Sequence, residues 1–195
     1  MDIYEIEDDC LSYCLTCMFP TIDNNCVNKG CISNYFDYIP QTHNEDVPIK
    51  HSNNVDLCAL HPKLFIMLNR LVVLCAHENI EIMITQGYRS IEEQNKIYAQ
   101  GRTLPGKIVT KAKGGSSLHN FRLAFDVAIL KNNKIDWNDT ELYIKVGKLG
   151  KGIGLTWGGN VKHGGDFKTM NDMPHFQFTG GHPISYFQNG NNLII

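Results

Sequence analysis

The sequence lacks the features that would point to a nucleic acid or a membrane as a partner. Its 18 Lys and Arg residues are nearly balanced by 20 Asp and Glu residues, the formal net charge is -2, and no long basic run occurs. A basic patch is the usual electrostatic footprint of a nucleic-acid-binding protein. The longest apolar stretch, residues 64–76, is interrupted by Asn69 and Arg70 and is too short to span a bilayer. We therefore expect neither partner.

The N-terminus also lacks the pattern of a secretion signal. Residues 1–5 read Met-Asp-Ile-Tyr-Glu and are acidic, whereas a signal peptide starts with positive charge and continues with an apolar core. The interpretation is a protein that stays in a cytoplasm until another factor releases it, or that is packaged in a virion. A chain of 195 residues with 43% hydrophobic residues suits one globular domain with a small appendage. We expect a monomer.

Cysteine is scarce except near the N-terminus, where five of the seven cysteines lie in the first 31 residues. Residues 1–50 have no clear period and are interpreted as an irregular, cysteine-rich extension before a domain over 51–195. Cys10, Cys14 and Cys17 have the spacing of iron–sulfur radical enzymes, but those enzymes need a large barrel for which this chain is too short. Reduced thiols, a local disulfide and a small zinc knot all remain open.

Regular secondary structure is predicted from residue 60 onward. The predicted elements are a helix over 60–78, a strand over 80–85, a helix from the Ser90–Glu93 capping box to about residue 100, a strand over 123–130, a helix capped by Asn138 or Asp139, and a strand over 175–178. A loop with three lysines over 101–115 and a glycine-rich loop over 150–165 separate some of them. This order has no regular βαβ rhythm, so it favours an α+β fold with a small antiparallel sheet.

The predicted strand over 123–130 places a carboxylate in an unusual position. Because side chains alternate between the two faces of a strand, Asp126 shares a face with Ala124 and Ala128. A buried charge must be paired or bound to a metal, and the two alanines leave room for a ligand. His119 lies seven residues earlier, at the mouth of the strand, which suggests a divalent metal.

A second pair of an aspartate and a histidine lies near the C-terminus. Asp172 precedes His175 by three residues, and Pro174 between them holds the backbone extended. Taken singly, these could be a turn residue and a core histidine. Catalytic zinc sites use three protein ligands and keep one position open, and a further carboxylate can take a proton from water. We assign His119, Asp126 and His175 as zinc ligands and Asp172 as general base, although manganese or cobalt would also suit these ligands.

These residues and several longer motifs resemble a family of zinc peptidases. The family includes D-alanyl-D-alanine carboxypeptidases, vancomycin-resistance dipeptidases and phage L-alanyl-D-glutamate endopeptidases, and the resemblance is strongest to the last branch, the endolysins. It covers about residues 60–178. The matching motifs are QGYRS at 86–90 with EQ at 93–94, YAQGRT at 98–103, PGKIVT at 105–110, AKGG at 112–115, S-x-H at 117–119, WGG at 157–159, DFK at 166–168 and D-x-PHF at 172–176.

The resemblance implies an α+β fold of the hedgehog and D,D-peptidase kind around one zinc ion, with the same ligands and base. It also implies that Arg89 lies over the site and stabilises a substrate carbonyl oxygen or carboxylate. Without it, Arg89 would be a surface residue paired with Glu92 or Glu93. Ser117 is implied to hydrogen-bond the substrate, with a turn-forming role as the alternative, and Trp157 to pack beneath the site.

Two positions depart from the pattern of the endopeptidase branch. Arg122 stands where that branch usually has glycine, which predicts a special backbone angle or a close approach there. Residues 160–165 look like an insertion, and they contain His163, a possible extra ligand but more simply a loop residue. Both changes bear on substrate preference more than on activity.

The function implied is zinc-dependent hydrolysis of the L-alanyl-D-glutamate bond in the stem peptide of bacterial peptidoglycan. An alternative is a D-alanyl-D-alanine carboxypeptidase or dipeptidase on the same scaffold, which would need a pocket for a free C-terminal carboxylate. A hedgehog-like binding module without catalysis is less favoured, because it predicts a secreted chain and gives no role to Arg89 together with Asp172.

Overall fold

The computed structural model describes residues 21–22, 25–26 and 47–194. Its strands and helices are β1 (Thr21–Ile22), β2 (Asn25–Cys26), α1 (Pro62–His77), β3 (Glu81–Gln86), α2 (Ile91–Ala99), β4 (Ala124–Lys131), β5 (Lys134–Asp136), α3 (Thr140–Gly152), β6 (Thr156–Trp157), β7 (His175–Gln177) and α4 (Ile184–Gln188). Most of the predicted extension over 1–50 lies outside the described residues, so the domain boundary stays a prediction. In the described part of the chain, no helix has both the length and the apolar character to cross a bilayer.

The main sheet is antiparallel and is centred on β4. Its strand order is β3-β4-β7-β6, and β5 pairs with the C-terminal end of β4 through a turn at Asn132 and Asn133. Both asparagines have positive φ values, 52° and 58°, as the tight turns of β-hairpins require. Helices α1 and α3 flank the sheet. The predicted α+β fold with a small antiparallel sheet is confirmed.

One face of β4 points into the hydrophobic core and the other carries the carboxylate. The core-facing residues of this strand are Phe125, Val127 and Ile129. They pack with α1, which begins at Pro62 with His61 as its N-cap and buries Leu64, Leu68 and Leu71 completely. Burial of each such side chain contributes roughly 1.5–3 kcal/mol. The alternation predicted around Asp126 is therefore confirmed, and it leaves Asp126 on the face away from this core.

The predicted strand over 80–85 is present as β3, and Met83 is buried in it although Glu81 and Thr85 on the same face are polar. Met83 is only 2% exposed and pairs with Ala128 of β4. Both faces of the sheet are thus covered at this position, which the alternation of Met83 with Glu81 and Thr85 did not reveal.

The predicted glycine-rich loop over 150–165 is wrong in its first part. Helix α3 continues to Gly152, and β6 follows three residues later. Added Cβ atoms would come within 2.2 Å of the Trp157 ring at Gly147 and within 2.5 Å of the Phe176 ring at Gly150. These glycines are helical because they let α3 approach two aromatic rings closely, not because the chain turns there.

One cysteine of the core is a free thiol. Cys75 is fully buried in α1, and burial, with a smaller contribution from the charge of Glu78, raises its pKa to about 12. The thiolate is the reactive form of cysteine, so Cys75 is a chemically inert core residue. A free thiol agrees with the odd number of cysteines in the sequence.

Candidate metal centre

Three segments bring two histidines and one carboxylate to the same point. His119 lies in a short 3-10 turn, Leu118–Phe121, Asp126 lies in β4, and His175 begins β7. The antiparallel register of β4 and β7 sets Asp126 directly opposite His175. Asp126 Oδ1 is 3.3 Å from His119 Nε2 and 3.0 Å from His175 Nδ1. One potential ligand atom of each residue lies within 4.8 Å of the others.

Each imidazole is held so that one ring nitrogen faces this point. His119 Nδ1 lies 2.7 Å from the Gly87 carbonyl oxygen, which can only accept, so Nδ1 carries a hydrogen and Nε2 is the nitrogen that faces Asp126. On the other ring, His175 Nε2 lies 3.0 Å from Gln177 Oε1, which leaves Nδ1 facing Asp126. Metal-binding histidines are usually held by such a hydrogen bond from the second nitrogen. The donor set therefore fits a divalent metal such as zinc.

The electrostatics of this cluster favour a bound cation. Burial acts to raise the pKa of Asp126, but the charges of His119 and His175 and their hydrogen bonds hold it well below its usual range. Burial likewise acts to lower the pKa of His175, and its hydrogen bond and charge interaction with Asp126 reverse this and raise it. Without a metal, a proton on the imidazole therefore balances the buried carboxylate, and a metal ion would displace that proton.

Zinc binding should weaken as the pH falls, beginning above the ordinary titration range of histidine. The raised pKa of His175 means that protons occupy its Nδ1 at higher pH, and each bound proton must leave before the metal can bind. Below that pKa we expect the apparent affinity to fall about tenfold per pH unit. Calorimetric zinc titration of the metal-free protein between about pH 5.5 and 8 measures this. An affinity that stays constant across that range would contradict it.

Asp172 lies beside the cluster in the segment that leads into β7. Its N–H donates to the Gly158 carbonyl at 2.8 Å, and its carbonyl accepts from His175 N–H at 3.1 Å. A Cβ at Gly158 would lie 2.4 Å from Asp172 O, so only glycine permits this approach. The carboxyl group accepts no hydrogen bond from the described residues. Burial and then the charge of Asp126 raise its pKa, which makes it a stronger base than an exposed aspartate.

Arg89 is positioned by two neutral side chains. Its Nη2 donates to Gln86 Oε1 at 2.6 Å and its Nη1 to Gln94 Oε1 at 2.9 Å. Burial lowers its pKa, and the charges of Asp126 and then Glu93 act against this, although arginine stays protonated in proteins. Within the described residues Arg89 forms no ion pair with Glu93, which instead closes the predicted capping box with Ser90.

Gln94 is a further functional candidate, which the sequence indicates only as part of a motif. Its side chain is completely buried, and it links Arg89 to the loop over 101–115, because its Nε2 donates to Ala112 O at 2.9 Å and lies 3.4 Å from Thr110 Oγ1. Buried polar groups are almost always hydrogen-bonded. The sequence feature that could have identified Gln94 is a polar residue on the inward face of α2, in the same motif as Arg89.

The remaining predicted site residues lie around the cluster. Ser117 precedes the His119 turn, is half-buried and makes no capping hydrogen bond through its side chain. Trp157 is fully buried, as predicted, and its Nε1 donates to Met173 O at 2.8 Å beneath the Asp172 segment. His163 lies in a separate 3-10 turn and is not among the three residues that converge.

Arg122 has the special backbone angle that its replacement of glycine predicted. Its φ of 64° and ψ of 19° lie in the left-handed region, where glycine is the usual residue. Its guanidinium carbon lies 5.2 Å from the centroid of the Tyr88 ring. The loop that carries His119 thus has a left-handed turn at this position, with a positive side chain on it.

Comparison with known proteins identifies the family. The profile of the VanY family, described as D-alanyl-D-alanine carboxypeptidase, matches residues 58–181, more than half of the chain. The peptidoglycan L-alanyl-D-glutamate endopeptidase CwlK of Bacillus subtilis (strain 168) is 37% identical over 127 residues, 60% of this chain and 72% of CwlK.

Two solved structures of low sequence identity align with the chain. The LD-carboxypeptidase LdcB shares the fold, with a TM-score of 0.50 at 20% identity over 68% of this chain and 65% of LdcB. The L-Ala D-Glu endopeptidase ChiX of Serratia marcescens aligns with a TM-score of 0.47 at 21% identity, over 63% of this chain and 83% of ChiX. The family match and the identity to CwlK confirm the resemblance found in the sequence: the chain belongs to the VanY family.

Proposed function

We propose that this protein is a zinc-dependent peptidoglycan endopeptidase that hydrolyses the L-alanyl-D-glutamate bond of the stem peptide. The observation that carries the proposal is the convergence of His119, Asp126 and His175 beside the carboxyl group of Asp172. The choice of bond is supported by CwlK, which is named for this cleavage. Retention in a cytoplasm until release, or packaging in a virion, and a monomeric state belong to the same proposal.

His119 Nε2, His175 Nδ1 and a carboxylate oxygen of Asp126 would hold the metal ion. When bound, zinc supplies Lewis acidity, which acidifies a water molecule and polarises a carbonyl group. The protein fixes the orientation of both imidazoles through the Gly87 carbonyl and Gln177. The ligands therefore need little rearrangement when the ion binds.

Asp172 moves the proton in this mechanism. As the water oxygen forms its bond to the carbonyl carbon, the carboxylate takes a proton from the water. It then returns a proton to the amide nitrogen of D-glutamate, so that the carbon–nitrogen bond breaks and a neutral amine leaves. The raised pKa of Asp172 suits both steps, because the group must accept a proton and then release it.

Arg89 stabilises the negative charge that develops on the substrate carbonyl oxygen. Gln86 and Gln94 orient the guanidinium without neutralising it, since an amide oxygen carries no net charge. The full positive charge therefore remains available to the transition state. The hydroxyl group of Ser117, which does not cap the His119 turn, donates a hydrogen bond to the bound peptide.

The variant Gln94→Leu should lower kcat for peptidoglycan cleavage and leave zinc content unchanged. Leucine keeps a similar volume but removes the acceptor for Arg89 and the donor to Ala112. Misplacement of a catalytic group by about 1 Å costs up to about a hundredfold in rate. Steady-state rates on soluble peptidoglycan fragments measure the change. The matched control is Gln100→Leu at the end of α2, which should keep the wild-type kcat. If the Gln94→Leu variant loses zinc, or changes only KM, Gln94 does not position Arg89 for catalysis.

The test of the function is product analysis on purified peptidoglycan. Metal-free protein and zinc-loaded protein are incubated with several peptidoglycan types, and the new chain ends are identified by mass spectrometry together with loss of turbidity. The proposal expects new C-terminal L-alanine and N-terminal D-glutamate only with zinc. Release of D-alanine would instead identify a D-alanyl-D-alanine carboxypeptidase or dipeptidase. Binding of one zinc ion per chain without any cleavage would favour the hedgehog-like binding module.

A further inference from the structure

A cavity opens beside the turn that carries His119. Its volume is about 440 Å³, within the range of pockets that bind small molecules. Aromatic rings form part of its wall, including Tyr88, Phe121 and Phe187, and Arg122 and Asn120 supply polar groups. No acidic residue lines it, and neither do the three residues of the candidate metal centre. The pocket is therefore a distinct site with a positive rather than a negative side chain.

The guanidinium group of Arg122 has donors to spare. It lies against the Tyr88 ring, and it forms no hydrogen bond or ion pair with any residue of the described ranges. Arginine presents five N–H donors in a planar fork that matches a carboxylate, and contact with a ring through its carbon leaves the edge of this fork accessible. Arg122 is thus available to bind an anion.

The backbone gives no reason for an arginine at this position. The left-handed conformation of Arg122 favours glycine. Its N–H donates to His119 O at 3.4 Å and also to Leu118 O, and its carbonyl accepts from His61 N–H at 2.9 Å. Any residue except proline could make these backbone hydrogen bonds. Only the side chain distinguishes arginine here. A charged side chain held in a strained turn at the edge of a cavity suggests a binding role.

The cavity and the candidate metal centre share two backbone segments. Tyr88 directly precedes Arg89, and Asn120 directly follows His119. Asn120 Nδ2 donates to Arg89 O at 2.8 Å, and Arg89 N–H donates to His119 O at 3.1 Å, so the segments are joined at this point. The cavity is therefore built on the same two segments that carry Arg89 and His119.

We propose that the cavity binds the free carboxylate of the D-glutamate residue that follows the scissile bond, with Arg122 as its principal partner. A glutamate within a peptide chain uses its amino group and one carboxyl group in amide bonds, so its other carboxyl group stays ionised. This inference rests on the proposed function and adds to it a determinant of substrate preference. The aromatic wall would contact the apolar part of the same residue.

The test compares two synthetic stem peptides that differ only in this group. One has D-glutamate, and in the other a carboxamide replaces its free carboxylate. The wild type should prefer the acidic peptide by about tenfold or more in kcat/KM, through KM, since a charge-assisted hydrogen bond is among the stronger polar contacts. Arg122→Gly and Arg122→Asn, two residues that tolerate the left-handed turn, should abolish the preference, and Arg122→Lys should retain part of it.

A charge-matched control is Lys148→Gln on the exposed side of α3, which should keep the wild-type preference. Because both peptides are assayed on the same preparation, the ratio does not depend on how much of a variant is folded. Equal losses on both peptides in the Arg122 variants, or a wild type without preference, would overturn the inference and leave the proposed function intact. A wild type that cleaves neither peptide would overturn both.

Discussion

Asp172→Asn should reduce peptidoglycan cleavage by about a thousandfold, a typical contribution of general acid–base catalysis, while zinc still binds. Asparagine has nearly the same shape but cannot take a proton from water. The three converging residues do not include Asp172, so the ligand set is unchanged. Product formation by mass spectrometry and zinc content by elemental analysis measure the two effects on one sample.

The control for this variant is Asp136→Asn. Asp136 lies in β5 and forms an ion pair with Lys131 at 3.1 Å. The hairpin of β4 and β5 is at the opposite end of β4 from Asp126. The Asp136→Asn variant should therefore retain wild-type activity. An Asp172→Asn protein that cleaves at a near wild-type rate would remove Asp172 from the mechanism. Loss of zinc in that protein would instead reassign Asp172 as a ligand.

Asp126→Asn should abolish both zinc binding and activity. The change leaves two imidazoles and no negatively charged ligand to balance the cation. Both imidazoles are held in place by hydrogen bonds, to the Gly87 carbonyl and to the Gln177 side chain. Loss of an outer partner of a metal ligand costs about 10- to 100-fold in affinity, so loss of the proposed carboxylate ligand itself should exceed that range. Zinc titration of the metal-free variant measures it.

The pair Asp126→Asn and Asp172→Asn is informative because the chemical change is the same in both. Only the first should lose the metal, and both should lose activity. Circular dichroism of the metal-free proteins tests that the fold survives. If Asp126→Asn bound zinc as tightly as the wild type, the assignment of Asp126 as a ligand would fail and a different cluster would have to be sought.

Features set by neighbouring residues in the sequence could be predicted well. The capping box of Ser90 and Glu93, the N-cap of α3 at Asp139 and the alternation around Asp126 all depend on local spacing, and all are present. The four proposed site residues also came from local motifs, two at the mouth and middle of β4 and two at the start of β7. Convergence of the three proposed ligands follows once these strands pair.

Features that depend on distant contacts could not be predicted. The glycines of α3 indicated a loop, because sequence alone does not show that the rings of Trp157 and Phe176 press against them. The two glutamines that orient Arg89, one at the end of β3 and one in α2, were recognised only as parts of motifs, since glutamine is ordinarily a solvent-exposed residue. The cavity beside Arg122 is formed by segments far apart in the chain, and no local pattern indicates it.

The slot that holds Trp157 also gives the protein a built-in optical probe. The indole lies where Cβ atoms at Gly147 and Gly159 would come within 2.2 and 2.5 Å of its ring, and its N–H binds the carbonyl just after Asp172. The sequence has two tryptophans, and the other, Trp137, is 52% exposed. A water-soluble quencher therefore suppresses the emission of Trp137 and spares that of Trp157, so the residual fluorescence reports the order of the segment that contains Asp172 without any label.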